Sequence, residues 1–170
     1  MFALILISSC EESVEITAST TFVDTVEVSI PQSNGTDVTY DETTTQNLTE
    51  LVSNYDDITD INIDSLSYTF TNLTGNSNAV ITSATVEINE IIVATTSNLN
   101  IGQEVTNETV VEITDTALLN QLENTFLTNS SVSIRFYGSA STEKRSVDFN
   151  VQVSIGLTAN LKKKSNILFI

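Results

Sequence analysis

From Val147 to Leu161 every odd position is apolar: Val147, Phe149, Val151, Val153, Ile155, Leu157, Ala159 and Leu161. Every even position is polar or glycine: Asp148, Asn150, Gln152, Ser154, Gly156, Thr158 and Asn160. Strand side chains alternate faces with a period of two, so this stretch reads as a strand with one buried and one wet face. Parallel sheets are covered on both sides and read as continuous apolar runs, so the pattern belongs to an antiparallel sheet. Straight, the strand would span about 50 Å, and strands in globular proteins rarely exceed about ten residues. It is therefore expected to bend or to pass between sheets, with Gly156 the place for a bulge.

The rest of the chain repeats the theme. Alternation predicts strands at Val14–Ala18, Phe22–Ile30, Val38–Tyr40, Ile61–Leu73, Val80–Ile88, Ile91–Val93, Thr109–Ile113 and Ser131–Tyr137. Between Ile61–Ile63 and Leu66–Tyr68–Phe70 the phase flips, which predicts a bulge near Asp64-Ser65. Asp41–Asn47 and Asn98–Asn107 read as loops, Gly138–Ser146 as a turn, and Leu48–Asp57 has helical spacing. One helix is well marked, Asp115–Leu127, with Thr114 or Asp115 as cap and Leu118, Leu119, Leu122 and Phe126 as its apolar stripe. The expected fold is mostly β, a two-sheet antiparallel sandwich of about seven to nine strands with that helix over an end or edge. Immunoglobulin-like sandwiches are of this kind. The order strand, helix, strand, long final strand over Val110–Leu161 resembles the sandwich of late-embryogenesis-abundant-like domains. No second composition regime appears, so 10–161 reads as one domain, including a short polar tether after Cys10.

Composition excludes several classes of function. There are 22 acidic and 6 basic residues in the 170-residue chain, a formal charge of −16, and such a field repels nucleic acid. His and Trp are absent and Cys occurs once, so no His-based nucleophile and no ordinary zinc site can be built. No carboxylate pair stands out as an acid/base couple, since sequence neighbours on a strand face opposite ways. The expectation is a protein that is not an enzyme and needs no cofactor.

The N-terminus carries the most specific motif. Apolar Met1–Ile7 leads into Ser8, Ser9 and the lone Cys10, then Glu11-Glu12. Ile7-Ser8-Ser9-Cys10 resembles the lipobox of bacterial lipoproteins, and the acidic pair resembles the export signal of Bacteroidetes surface lipoproteins. The resemblance implies that residues 1–9 are a signal segment, that Cys10 is lipidated, and that the chain sits on the bacterial outer membrane, exposed at the surface. A basic n-region is lacking, and a start further upstream would supply it. The alternative is a buried N-terminal strand with a free thiol.

Three sets of residues are candidate sites, each beside a plainer reading. Asp60, Asn62 and Asp64 match the first three ligand positions of a calcium loop, but Ser65 and Thr71 stand where that loop has Gly and Glu. Alternation with Ile61 and Ile63 reads them instead as the wet face of a strand. Thr25, Ser65 and Thr116 lie in Asp-Ser/Thr-aliphatic tripeptides that resemble the Bacteroidetes O-glycosylation acceptor, a match that Thr-rich composition also produces. The tail from 162 to 170 is basic (Lys162, Lys163, Lys164) and then apolar (Ile167-Leu168-Phe169-Ile170), and its plainer reading is a solvated strand end followed by a last strand or frayed terminus. The leading functional expectation is a lipid-anchored envelope protein with a structural or adhesive role and a protein or glycan partner. A surface-fibre subunit, donating the apolar tail as a strand, and a calcium- or glycan-binding module are the alternatives.

Overall fold

The structure, a computed structural model, describes residues 12–48, 57–129, 131–143 and 145–165. It is a two-layer antiparallel sandwich. Strands β1 (Glu12–Ile30), β8 (Val147–Ser165), β3 (Asp57–Gly75) and β6 (Val110–Glu112) form sheet A in that order. Strands β2 (Asp37–Asn47), β7 (Ser131–Ser141), β4 (Val80–Ile88) and β5 (Ile91–Asn100) form sheet B. Two helices follow β5 and β6: α1 (Ile101–Thr106) and α2 (Thr116–Thr128).

The alternation of β8 comes out as read. Val147, Phe149, Val151, Val153 and Ile155 are buried, and its even side chains lie on the outer face. The strand does not change sheets. It stays paired with β1 without a register shift from Val147↔Ile30 to Ser165↔Glu12, and it runs past Leu161 through Lys162 to Ser165. The irregularities fall on its other neighbour, β3, one of them between Ile63 and Ser65 as the phase flip predicted. Gly156 lies opposite that bulge, against the Ser65 side chain, so the extra residue sits on the partner strand and β8 itself continues.

Other elements are longer than their hydrophobic patterns. The strands expected at Val14–Ala18 and Phe22–Ile30 are one 19-residue strand. Asp41–Asn47 is not a loop but the second half of β2, since β-branched Thr suits a strand whose inner face is only half covered. Asn98–Asn107 is likewise not all loop. Asn100 ends β5, and its side chain accepts from Gln103 N at 3.1 Å, capping α1. β7 extends through Gly138 to Ser141. The helical reading of Leu48–Asp57 lies outside the described residues except for buried Leu48 and for Asp57, which opens β3.

α2 starts as predicted, with Asp115 Oδ1 accepting from Ala117 N (2.9 Å) and Leu118 N (3.2 Å). It buries Leu122 and Phe126, and Glu123 Oε1 takes the Ile63 N–H of β3 at 2.8 Å. The helix thus packs against β3 of sheet A. The centre of the core is aromatic. Phe136 of sheet B stacks on Tyr40 at 5.2 Å and meets Phe70 and Phe149 of sheet A edge-on, each at 6.1 Å. At the far end two buried hydroxyls lock the turns together. Thr142 Oγ1 accepts from Ser33 N and donates to Pro31 O, both 2.8 Å, while Ser33 Oγ accepts from Thr142 N at 2.9 Å and donates to Thr142 O at 3.0 Å.

Candidate functional site

On the outer face of sheet B a trough of about 530 Å³ is lined by Thr43, Glu87, Asn89, Glu90, Ser133 and Arg135 among others. Strand register assembles it. Arg135 on β7 stands directly between Thr43 on β2 and Glu87 on β4, all on the outward phase. Its guanidinium reaches diagonally to Asp41, with Nε on Oδ1 at 2.7 Å and Nη2 on Oδ2 at 2.6 Å. Glu87 Oε1 is 3.6 Å from Nη1, and the guanidinium carbon lies 4.3 Å over the Tyr137 ring. The hydrogen bond from Arg135 holds the Asp41 carboxyl below its ordinary range. Two carboxylates and a ring therefore fix one cation in a single pose, with planar donors at the trough wall.

The trough is closed at one end by the β4–β5 turn. Asn89 and Glu90 both have positive φ, 47° and 67°, the conformation of a two-residue hairpin turn that matches sheet twist. Asn tolerates this region, whereas Glu does so rarely. The Asn89 side chain takes the place of a further strand residue beside β7: Oδ1 accepts from Ser133 N at 2.7 Å and Nδ2 donates to Ser131 O at 3.2 Å. The trough wall thus carries hydroxyl and carboxylate groups beside an Asn89 amide engaged on β7 and a guanidinium engaged by Asp41 and Glu87.

The residues singled out from sequence lie elsewhere. Asp60, Asn62 and Asp64 share the outer face of sheet A, exposed. Asp64 accepts from Asn62 Nδ2 (2.8 Å) and Thr158 Oγ1 (2.7 Å), and Asp60 from Asn160 Nδ2 (3.4 Å). Among the described residues no three acids, His or Cys are grouped to hold a metal. Thr25 is half-buried on β1, Ser65 is exposed at the β3 bulge, and Thr116 is the exposed first residue of α2. Cys10 and Ile167–Ile170 lie outside the described residues.

One buried group escaped the sequence reading. Asp24 sits on the inward phase of β1, in line with Val26 and Val28, and is buried. Its Oδ1 accepts from Thr25 N (2.8 Å), Gln46 Nε2 (3.2 Å) and Thr44 Oγ1 (3.4 Å). Its Oδ2 is buried, with no hydrogen-bond partner among the described residues. The signal was available: an acid on the even positions of Phe22–Ile30 breaks an otherwise apolar face. Comparison of the chain with known protein families, curated proteins and solved structures finds no match.

Proposed function

We propose that the chain is a non-enzymatic, lipid-anchored protein of the bacterial outer membrane that acts in structure or adhesion at the cell surface. The observation that carries this reading is the run Ile7-Ser8-Ser9-Cys10-Glu11-Glu12, which leads straight into β1 at Glu12. In sequence one residue, Glu11, stands between the candidate anchor Cys10 and the first residue of β1. β1 has 19 residues, about 60 Å if straight. At its other end the Ser33 and Thr142 turns are joined by their buried hydroxyls. The trough of sheet B is the surface assigned to adhesion, for a glycan or another hydroxyl-rich ligand. A lipidated Cys10 carries several acyl chains, each buried methylene contributing about 0.8 kcal/mol, which exceeds the two-signal threshold for stable attachment. Cell fractionation of Cys10→Ala tests this: the variant should be soluble or unprocessed. If it sediments with membranes as the parent does, the anchor reading is wrong.

A further inference from the structure

A sandwich of two open sheets has four edges, here β1 and β6 in sheet A and β2 and β5 in sheet B. Edges template the pairing of a further strand, and proteins blunt them with shortness, bulges, Pro, Lys or inward-pointing charges. β6 has three residues, and β5 is bulged against β4 at Val86/Glu87. β2 faces inward with Glu42, Thr44 and Gln46. β1 differs. Its 19 residues pair with β8 in unbroken register and include no Pro, Gly, Lys or Arg. Two of its apolar side chains are open to solvent, Ile16 at 40% and Val23 at 51%. Among the described residues nothing is paired to its other side.

Among the β1 residues whose side chains are described, from Glu15 onward, the one inward-pointing charge is Asp24, 6% exposed. Oδ1 collects all three donors, and Oδ2 is left without one. A buried carboxylate oxygen with no donor is held at a cost that a cation or N–H removes. An inward charge repels any added strand that would leave it unpaired, but it welcomes one that brings a positive group. We propose that β1 is a strand-addition edge selective for an extended segment of another protein carrying Lys or Arg beside Asp24. Cross-strand neighbours have Cβ atoms about 5 Å apart, within reach of a Lys or Arg head group. Charge points the same way. β1 holds Glu12, Glu15, Asp24 and Glu27 with no basic residue, in a chain of net charge −16. A second copy adding through its own β1 would set acids beside acids. The proposal is independent of lipidation at Cys10.

The test uses the full chain and a fluorescein-labelled nine-residue peptide of alternating Val and Thr with a central Lys. Matched peptides carry Gln or Glu at the centre, and a fourth is N-methylated on alternate amides. By fluorescence anisotropy the Lys peptide should bind saturably and at least tenfold more tightly than the Gln peptide. The Glu and N-methyl peptides should not saturate, and Asp24→Asn should level Lys and Gln. Equal binding of Lys and Gln peptides to the parent, a Lys preference that survives Asp24→Asn, or self-association through β1 in place of peptide capture would overturn the proposal. Hydrogen exchange on the unaltered chain covers the case in which the variant does not fold. Bound Lys peptide should protect β1 amides around Asp24, and protection of β5 instead would refute the assignment.

Discussion

Substituting adjacent residues of β8 with the same charge should have opposite consequences. Val153 is 1% exposed and lies between Asp24 on β1 and Tyr68 on β3. Val153→Asp loses the burial of a Val side chain, about 1.5–3 kcal/mol. It also sets a second carboxylate beside that of Asp24. At about 5 Å and an effective dielectric near 20, that repulsion is about 3 kcal/mol. Desolvation of the new charge adds to both. The sum is at least ~5 kcal/mol, against a total stability of about 5–15 kcal/mol for a domain, so the variant should be largely unfolded. Gln152 lies on the wet face between Thr25 and Thr69, with no acid directly across. Gln152→Asp should change stability by under about 0.5 kcal/mol.

A third variant isolates the role of Asp24. Val153→Lys loses the same apolar burial but meets the partnerless Oδ2 with a cation. It should be less destabilising than Val153→Asp by at least ~2 kcal/mol, since repulsion becomes attraction. Urea unfolding followed by far-ultraviolet circular dichroism measures all three, the chain having no Trp. Equal loss in Val153→Asp and Gln152→Asp would mean that both faces of the strand are covered, and the two-layer reading fails. Equal loss in Val153→Asp and Val153→Lys would mean that the Asp24 charge is not felt at this site.

Thr142→Val keeps the shape of the turn lock but removes the hydroxyl shared by Ser33 N and Pro31 O. It should cost about 1–3 kcal/mol, seen in calorimetry as a fall in Tm of roughly 2–12 °C. Gly138→Ala should be destabilising by about 1–3 kcal/mol, because its Cβ would overlap the Ser83 carbonyl oxygen and crowd the Tyr40 hydroxyl. Gly156→Ala should be milder in the same urea titration, since it meets the Ser65 side chain, which can rotate away. At alkaline pH the sign follows from Tyr40, raised by burial, and Tyr68, raised by burial and by Glu104. Their contribution is fully present below the ordinary phenol value near ~10 and is lost as pH rises through the folded values. Urea midpoints should therefore fall above that pH, and less steeply in Tyr40→Phe and Tyr68→Phe.

The parts of the fold legible in the sequence are those where one face is fully buried. β8 was visible because Val147, Phe149, Val151 and Val153 meet no water, and the bulge was visible because Ile63 and Leu66 fall on opposite phases. α2 was visible because a cap and an apolar stripe coincide at Asp115, Leu122 and Phe126. The hidden parts share a cause. In β2 past Tyr40 the inward positions are Glu42, Thr44 and Gln46, so hydropathy does not alternate even though the backbone does. Such a strand is held by the β7 ladder, which is backbone chemistry that side chains do not announce. The trough shows the same limit. Arg135 has an outward phase in sequence, but its bond to Asp41 spans 94 positions, set by strand order alone.

Asp24 is where these two limits meet. Its phase is legible, and a carboxylate on an apolar phase is the kind of local conflict that marks function or edge protection. Which of these applies depends on neighbours that come from elsewhere: Val153 across the ladder, Thr44 and Gln46 from the facing sheet. Those neighbours satisfy one oxygen and leave the other empty, although Val at position 24 would leave no polar group to satisfy. If edge protection were the only need, a Lys would serve on a strand this exposed without burying a charge. A half-satisfied acid protects the edge against neutral and acidic strands and leaves it open to basic ones. On that argument the acidity of the chain and the regularity of β1 belong to one design, in which the same edge excludes its own copies and admits a positively charged strand.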